Sequence, residues 1–226
     1  MKFIQALTAT ILFIIGTELV SLIDLGVLSI VDTGWIPFSY AQLPALILEL
    51  VIVVFVVGKF MGWQALRPNE AGLKWVLAGF GLGAVYVYLQ LIISYLTSIG
   101  AGEWNAALPD ISFELKRCFK YFSIGMVLIT PIAEELFFRR FLQSKLQEEY
   151  DGLKPVFMVT ALFTLVHFPF FCLFSDLCVF SFEPLFTVTL GGFIASWLYY
   201  KSESILPSII FHVIWNFTAV GYVLNY

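Results

Sequence analysis

The chain has 226 residues, 60% of them hydrophobic and only 12% charged, with a mean hydropathy of +0.92 and a formal net charge of −4. Soluble domains are about half apolar and roughly a quarter charged, so a soluble globule of this composition could not cover its surface with polar groups. The modest negative charge gives no nucleic-acid signal. The long continuous apolar runs exclude a barrel of roughly 10-residue alternating strands. What remains is an all-α class: a polytopic membrane helix bundle, read as a single integral membrane domain over 1–226.

A helix needs roughly 20 apolar residues to cross a bilayer. The opening "MKFIQALTATILFIIG" resembles a signal peptide, with Lys2 ahead of an apolar run. "TELVS" follows without a small-x-small cleavage site, so an uncleaved first span is expected at about 3–23. Further spans are expected at about 37–58, 74–98, 119–140, 156–175, 179–200 and 205–225. "ALRPNEAGLK" and "EEYDGLKP" are polar turns, and 99–118 is a mixed stretch expected to form an extramembrane loop with a short amphipathic piece. Pro169 and "SDLC" interrupt the apolar run at 168–184, so the count is seven spans, or eight if that region re-enters. The motif-bearing core is expected at about 119–226.

Cys118, Cys172 and Cys178 form no C-x-x-C pair, and three is an odd count, so neither a disulfide framework nor a thiolate metal site is expected. Each is read as a small buried hydrophobe; Cys172 and Cys178 could pair only if their loop faces an oxidising space. Gly79, Gly81, Gly83, Gly191 and Gly192 are expected to let helices approach closely.

His167 and His212 are the chain's two histidines, and both sit in apolar runs, as do Glu134 and Glu135. An ionisable side chain at the centre of a membrane helix costs about 2.5–3.5 kcal/mol on insertion scales, so several of them are best explained by a meeting inside the bundle. At a rise of about 1.5 Å per residue, counting from Arg140 puts Glu134 roughly 9 Å deep, counting from Pro155 puts His167 roughly 18 Å deep, and counting from Ile205 puts His212 roughly 10 Å deep. Glu135 and Arg139 are four apart and face one another. Glu134 points away from that pair and is left available for general base and acid work. His212 and Asn216, also four apart, share a face suited to holding an oxyanion, and Phe163 stands four before His167 to buttress its ring. Glu18, Asp24 and Glu49 also lie in or near apolar runs, so an embedded acid here need not be catalytic.

Taken together, Glu134-Glu135-Leu136-Phe137-Phe138-Arg139 (EExxxR), Phe163 to His167 (FxxxH) and His212 to Asn216 (HxxxN) resemble the CPBP family of intramembrane proteases. That family includes the type II CAAX prenyl endopeptidases and bacterial relatives linked to bacteriocin processing and self-immunity (the ABI family). The resemblance spans about 119–226; Arg140 stands where a glycine is often found. It implies that Glu134 and His167 activate a water, that His212 and Asn216 stabilise the oxyanion, and that Glu135, Arg139 and Phe163 support them. It also implies a peptide or protein substrate met at membrane lipid, such as a prenylated tail or a leader peptide, with the cell membrane of a prokaryote as the expected place. No cofactor is expected. Zinc is considered and not favoured, because Asn216 is a poor ligand and Glu135 is engaged by Arg139. Two other classes compete: a non-proteolytic immunity or scaffold protein, which would not need the motif set, and a transporter, for which no inverted repeat is visible.

Lys2, Lys59, Arg67, Lys74, Arg139, Arg140, Lys145, Lys154 and Lys201 fall at alternating span ends; Lys116, Arg117 and Lys120 are the exception. The N-terminus is therefore expected in the cytoplasm and the C-terminus outside. In a cysteine-free background, a cysteine placed in 141–154 should label from the cytoplasmic side and one at position 226 from the opposite side. Labelling of both from one side would overturn the seven-span arrangement.

Overall fold

The computed structural model describes residues 1–31, 43–100, 124–168 and 182–223. Among them there are seven helices and no strand. Helix α1 is Phe3–Val31, α2 Leu43–Met61 and α3 Leu73–Gly100. Helix α4 is continuous but wound in four stretches, Gly125–Ile129, Thr130–Glu135, Leu136–Gln143 and Ser144–Gln147. Helices α5, α6 and α7 follow as Lys154–Val166, Phe182–Ser202 and Ile205–Val223. A helical membrane bundle is therefore the fold class. Of the loop expected at 99–118, residues 101–118 lie outside the described residues, as do residues 169–181 of the interrupted stretch 168–184 and all three cysteines.

Length and composition make three helices able to cross a membrane: Phe3–Val20 within α1, Leu43–Met61 and Leu73–Thr97. Their outer faces carry exposed Leu12, Ile15, Val51, Phe55, Phe80 and Val85, which suits contact with lipid rather than water. Two shorter apolar helices, Lys154–Val166 and Ile205–Phe217, sit further inside.

Two boundaries differ from expectation, with consequences for the site. The span expected at 119–140 does not end at Arg140; α4 runs on to Gln147. The span expected at 156–175 stops as a helix at Val166, and His167 occupies the turn after it. Pro169 explains the stop, because a proline disfavours helical geometry in the residue before it. Glu134 thus stands thirteen residues before Gln147, and His167 thirteen residues after Lys154. The two arms of the hairpin bring them to the same depth, where the sequence estimate had separated them by roughly 9 Å. The winding of α4 also has a local cause. Pro131 offers no N–H to the preceding turn and crowds the carbonyl four residues back, and the π-wound Gly125–Ile129 lies there.

The polar turns gather at one end of the bundle. The Met1 amino group donates to the Lys145 carbonyl at 3.0 Å and pairs with Glu149 at 3.4 Å. Arg140 Nε donates to the Ala65 carbonyl at 2.6 Å, Asn69 Nδ2 to the Glu203 carbonyl at 2.8 Å, and Ser204 Oγ to the Asn69 carbonyl at 2.7 Å. The N-terminus and the turns after α2, α4 and α6 therefore share one side.

Small residues set the spacing inside the bundle, with one exception. A Cβ at Gly79 would come within 2.5 Å of the Pro207 carbonyl oxygen, and one at Gly83 within 3.0 Å of Ile214, so α3 lies directly on α7. At Gly191 the neighbour is Trp215, at 2.6 Å, and at Gly192 it is Phe163, at 2.7 Å. Gly81, expected to do the same, faces open space, because it lies on the opposite side of α3 from the contact made by Gly79 and Gly83. Gly79→Ala should therefore lower stability by about 1–3 kcal/mol, since backbone must move. Gly81→Ala should stay within about 0.5 kcal/mol of wild type. Thermal unfolding of both variants in detergent checks the pair.

Candidate active site

The third stretch of the chain, α4, supplies two carboxylates and an arginine to the middle of the bundle. Glu135 and Arg139 are each 0% exposed and form an ion pair, Nη1 to Oε1 at 3.0 Å. The same Oε1 accepts the His212 Nδ1–H at 2.8 Å from α7. Arg139 Nη2 donates to the Gly192 carbonyl of α6 at 3.0 Å, and its guanidinium lies over the Phe163 ring of α5 at 4.5 Å. An isolated buried charge would be prohibitive; here a single pair is held by groups from three other helices. Glu135 and Arg139 are thus brought together as their spacing predicts.

Glu134, the adjacent residue, turns elsewhere. Its Oε2 lies 3.7 Å from His212 Nε2 and its Oε1 lies 3.9 Å from His167 Nε2. Both distances exceed hydrogen-bond range, and Oε2 is buried without a hydrogen-bond partner. The two rings face Glu134 for the same reason: each has its other nitrogen tied off. His167 Nδ1–H donates to the Phe163 carbonyl at 2.9 Å, and a carbonyl can only accept. His212 Nδ1–H is held by the Glu135 carboxylate. In their neutral forms both imidazoles therefore turn a bare Nε2 lone pair toward Glu134. Fixing one ring nitrogen to orient the other is the usual way a protein sets an imidazole for base or ligand work.

Aromatic rings wall the cluster. His212 stacks on Trp215 with centroids 4.9 Å apart, and Phe163 packs at 4.5 Å from His167 and 5.9 Å from His212. Tyr86 of α3 meets Trp215 edge-on at 5.5 Å and donates its hydroxyl hydrogen to the Thr187 carbonyl. The cluster is not sealed: the His167 side chain is 31% exposed and Glu134 12%, against 2% or less for His212, Glu135 and Arg139. His167 owes its exposure to its place in the turn past α5.

Asn216 is one turn beyond His212, as expected, but its Nδ2 donates to the Met126 carbonyl of α4 at 3.0 Å. That contact uses one of the two amide hydrogens. Glu134, His167 and His212 are the side chains that could ligate a metal; among the described residues no set of three His, Cys, Asp or Glu is grouped to hold one. Two residues outside the motifs belong to the surroundings. Glu49 of α2 falls on the stripe of Ala45, Val53 and Val57 that faces the interior. It lines an apolar cavity of about 300 Å³ with Thr17 and Phe137, near enough to Glu134 for the two carboxylates to repel. Gln143 of α4 is 0% exposed and donates to the Ser196 carbonyl at 2.8 Å. The helical spacing 135, 139, 143 is the signal by which it could have been found.

Removing one partner of a buried ion pair leaves the other uncompensated. Glu135→Ala should therefore lose about 3–5 kcal/mol of stability, whereas Glu134→Ala, whose carboxylate makes no hydrogen bond, should melt close to wild type. Thermal melts of the two variants in the same detergent make the comparison.

Residues 118–218 match the family model described as type II CAAX prenyl endopeptidase Rce1-like. No curated protein and no solved structure matches the chain. The matched stretch takes in α4 to α6 and α7 as far as residue 218, and with them Glu134, Glu135, Arg139, Phe163, His167, His212 and Asn216; α1 to α3 lie outside it. The stretch of this membrane bundle that holds the buried carboxylates and both histidines is thus the one similar to the type II CAAX prenyl endopeptidase Rce1-like family.

Proposed function

We propose that the chain is an intramembrane endopeptidase that hydrolyses a peptide bond with a water activated by Glu134 and His167. The observation that carries this reading is the convergence of the Nε2 atoms of both histidines on Glu134, whose Oε2 is buried with no hydrogen-bond partner. Glu134 Oε1 and His167 Nε2 are both acceptors, stand at the more exposed edge of the cluster, and suit the two hydrogens of a single water. As that water attacks the scissile carbonyl, Glu134 takes one proton. The carbonyl oxygen becomes an oxyanion, and the proton on Glu134 is passed to the departing amine. This is general base and then general acid work by one group.

His212 and Asn216 are the proposed oxyanion donors. Because Glu135 already receives the Nδ1–H of His212, an Nε2–H exists together with it only in the doubly protonated ring. His212 would thus act as an imidazolium held by the Glu135 carboxylate. Asn216 would contribute the amide hydrogen that Met126 does not use. Donors set in a water-poor site are worth far more than in bulk water. Among the described residues neither histidine is hydrogen-bonded to a serine, which favours direct attack by water over a serine-bound covalent intermediate.

The substrate is proposed as a peptide segment met at the membrane, either a tail ending in a prenylated cysteine motif or an apolar leader peptide. The enclosing membrane is proposed as the cell membrane of a prokaryote, with the end bearing Met1 and the 148–153 turn in the cytoplasm. The purified chain in lipid vesicles is offered both peptide types, and products are read by mass spectrometry. Cleavage by wild type is expected, with a fall of about 10²–10⁴-fold or more in Glu134→Gln and His167→Ala. Near-normal turnover by folded Glu134→Gln would sink the assignment.

A further inference from the structure

Glu135, Arg139 and Gln143 follow one another at four-residue intervals along α4, and all three are fully buried. The last two reach the same neighbour: Arg139 Nη2 donates to the Gly192 carbonyl and Gln143 Nε2 to the Ser196 carbonyl, one turn further along α6. Ser144 Oγ and the Tyr199 hydroxyl close the row at 2.6 Å. Gln143 and Arg139 lie in the π-wound stretch Leu136–Gln143, a winding that recurs at functional sites because it re-aims side chains.

One rung between two helices leaves a pivot; two rungs a turn apart fix both slide and rotation. Arg139 is the pivot nearest the chemistry, since the Glu135 oxygen it holds also orients His212, and the Phe163 it covers also orients His167. Without the Gln143 rung, the Ser144–Tyr199 contact at the far end of the row is all that opposes rotation of α4 on α6 about the Arg139–Gly192 bond, a rotation that would carry Glu134 away from the two Nε2 atoms. Gln143 lies outside all three motifs and touches neither histidine.

We propose that Gln143 is a positioning residue: its hydrogen bond to the Ser196 carbonyl locks α4 on α6, and through Arg139 it sets the geometry of Glu135 and His212. Its kinetic arm rests on the endopeptidase reading above; its structural arm does not.

Gln143→Met keeps length and volume but removes the amide. In the purified chain, kcat should fall roughly 10- to 100-fold with KM unchanged, the scale of a misplacement of about 1 Å or less. Combined with Arg139→Lys, the double variant should be no slower than Arg139→Lys alone, because both act through one element; independent structural losses would multiply instead. The chain has only two histidines, so ring-¹⁵N labelling resolves His212, and its Nδ1–H signal should shift in Gln143→Met without any turnover being needed. Should Gln143→Met fail to accumulate, Gln143→Asn, one methylene short of the carbonyl, should show the same shift and loss of kcat. Wild-type kcat, multiplying losses or an unmoved His212 signal would each overturn the proposal. If wild type itself cleaves neither peptide, the endopeptidase reading fails, and the His212 signal still decides the role of Gln143.

Discussion

The rest of the structure hangs on one buried ion pair. Glu135 and Arg139 are wholly removed from solvent, in a medium where an unpaired charge has no alternative partner. Their charges must be answered by protein groups, and the answers come from every neighbouring helix of the matched domain. The Gly192 carbonyl lies on α6, the Phe163 ring on α5 and the His212 imidazole on α7. Such a pair is weak evidence for stability, since well-packed apolar residues often do as well. What it supplies here is uniqueness of arrangement: few placements of four apolar helices satisfy all of those contacts together.

Packing around the pair follows from the same demand. Phe163 can cover the guanidinium only because Gly192 leaves room for its ring, where a Cβ would come within 2.7 Å. Trp215 can stack on His212 only because Gly191 is equally small. In a bilayer there is no hydrophobic force between helices, so close packing and interhelical hydrogen bonds hold them. The glycines and the polar ladder of α4 supply one each. The long helices α1 to α3 present broad exposed apolar faces, while the polar ladder and both histidines belong to α4 to α7.

Chemically, the cluster separates two adjacent glutamates into different roles by environment. Glu135 is engaged through its Oε1 by both Arg139 and His212 and is committed to orientation. Glu134 has neighbours at 3.7 and 3.9 Å but no hydrogen bond, and it sits toward the open edge. Two carboxylates side by side in sequence can differ this much because successive residues of a helix point about a quarter-turn apart. The proposed division into a water-activating pair and an oxyanion pair follows that partition.

Composition alone determined the class of this protein, because a chain so poor in charge cannot cover a soluble surface. The apolar runs placed all seven helices, although α1 runs on to Val31 and α5 stops at Val166, well away from the expected ends; four-residue spacing determined the Glu135–Arg139 pairing, since local geometry depends on neighbours along one helix. The depth of the site was not legible in the same way. It depended on where α4 ends and on the turn at His167, and a helix end inside a membrane bundle is decided by what packs against it. Gly81 resembled its neighbours in sequence, yet only the crossing of α3 and α7 distinguished it. The partner of His212 Nδ1, the engagement of Asn216 by Met126, and the second rung at Gln143 are contacts between distant segments. Tertiary structure alone decided them, because a side chain's partner across a helix interface is set by the register of two helices, and neither helix carries that register in its own sequence.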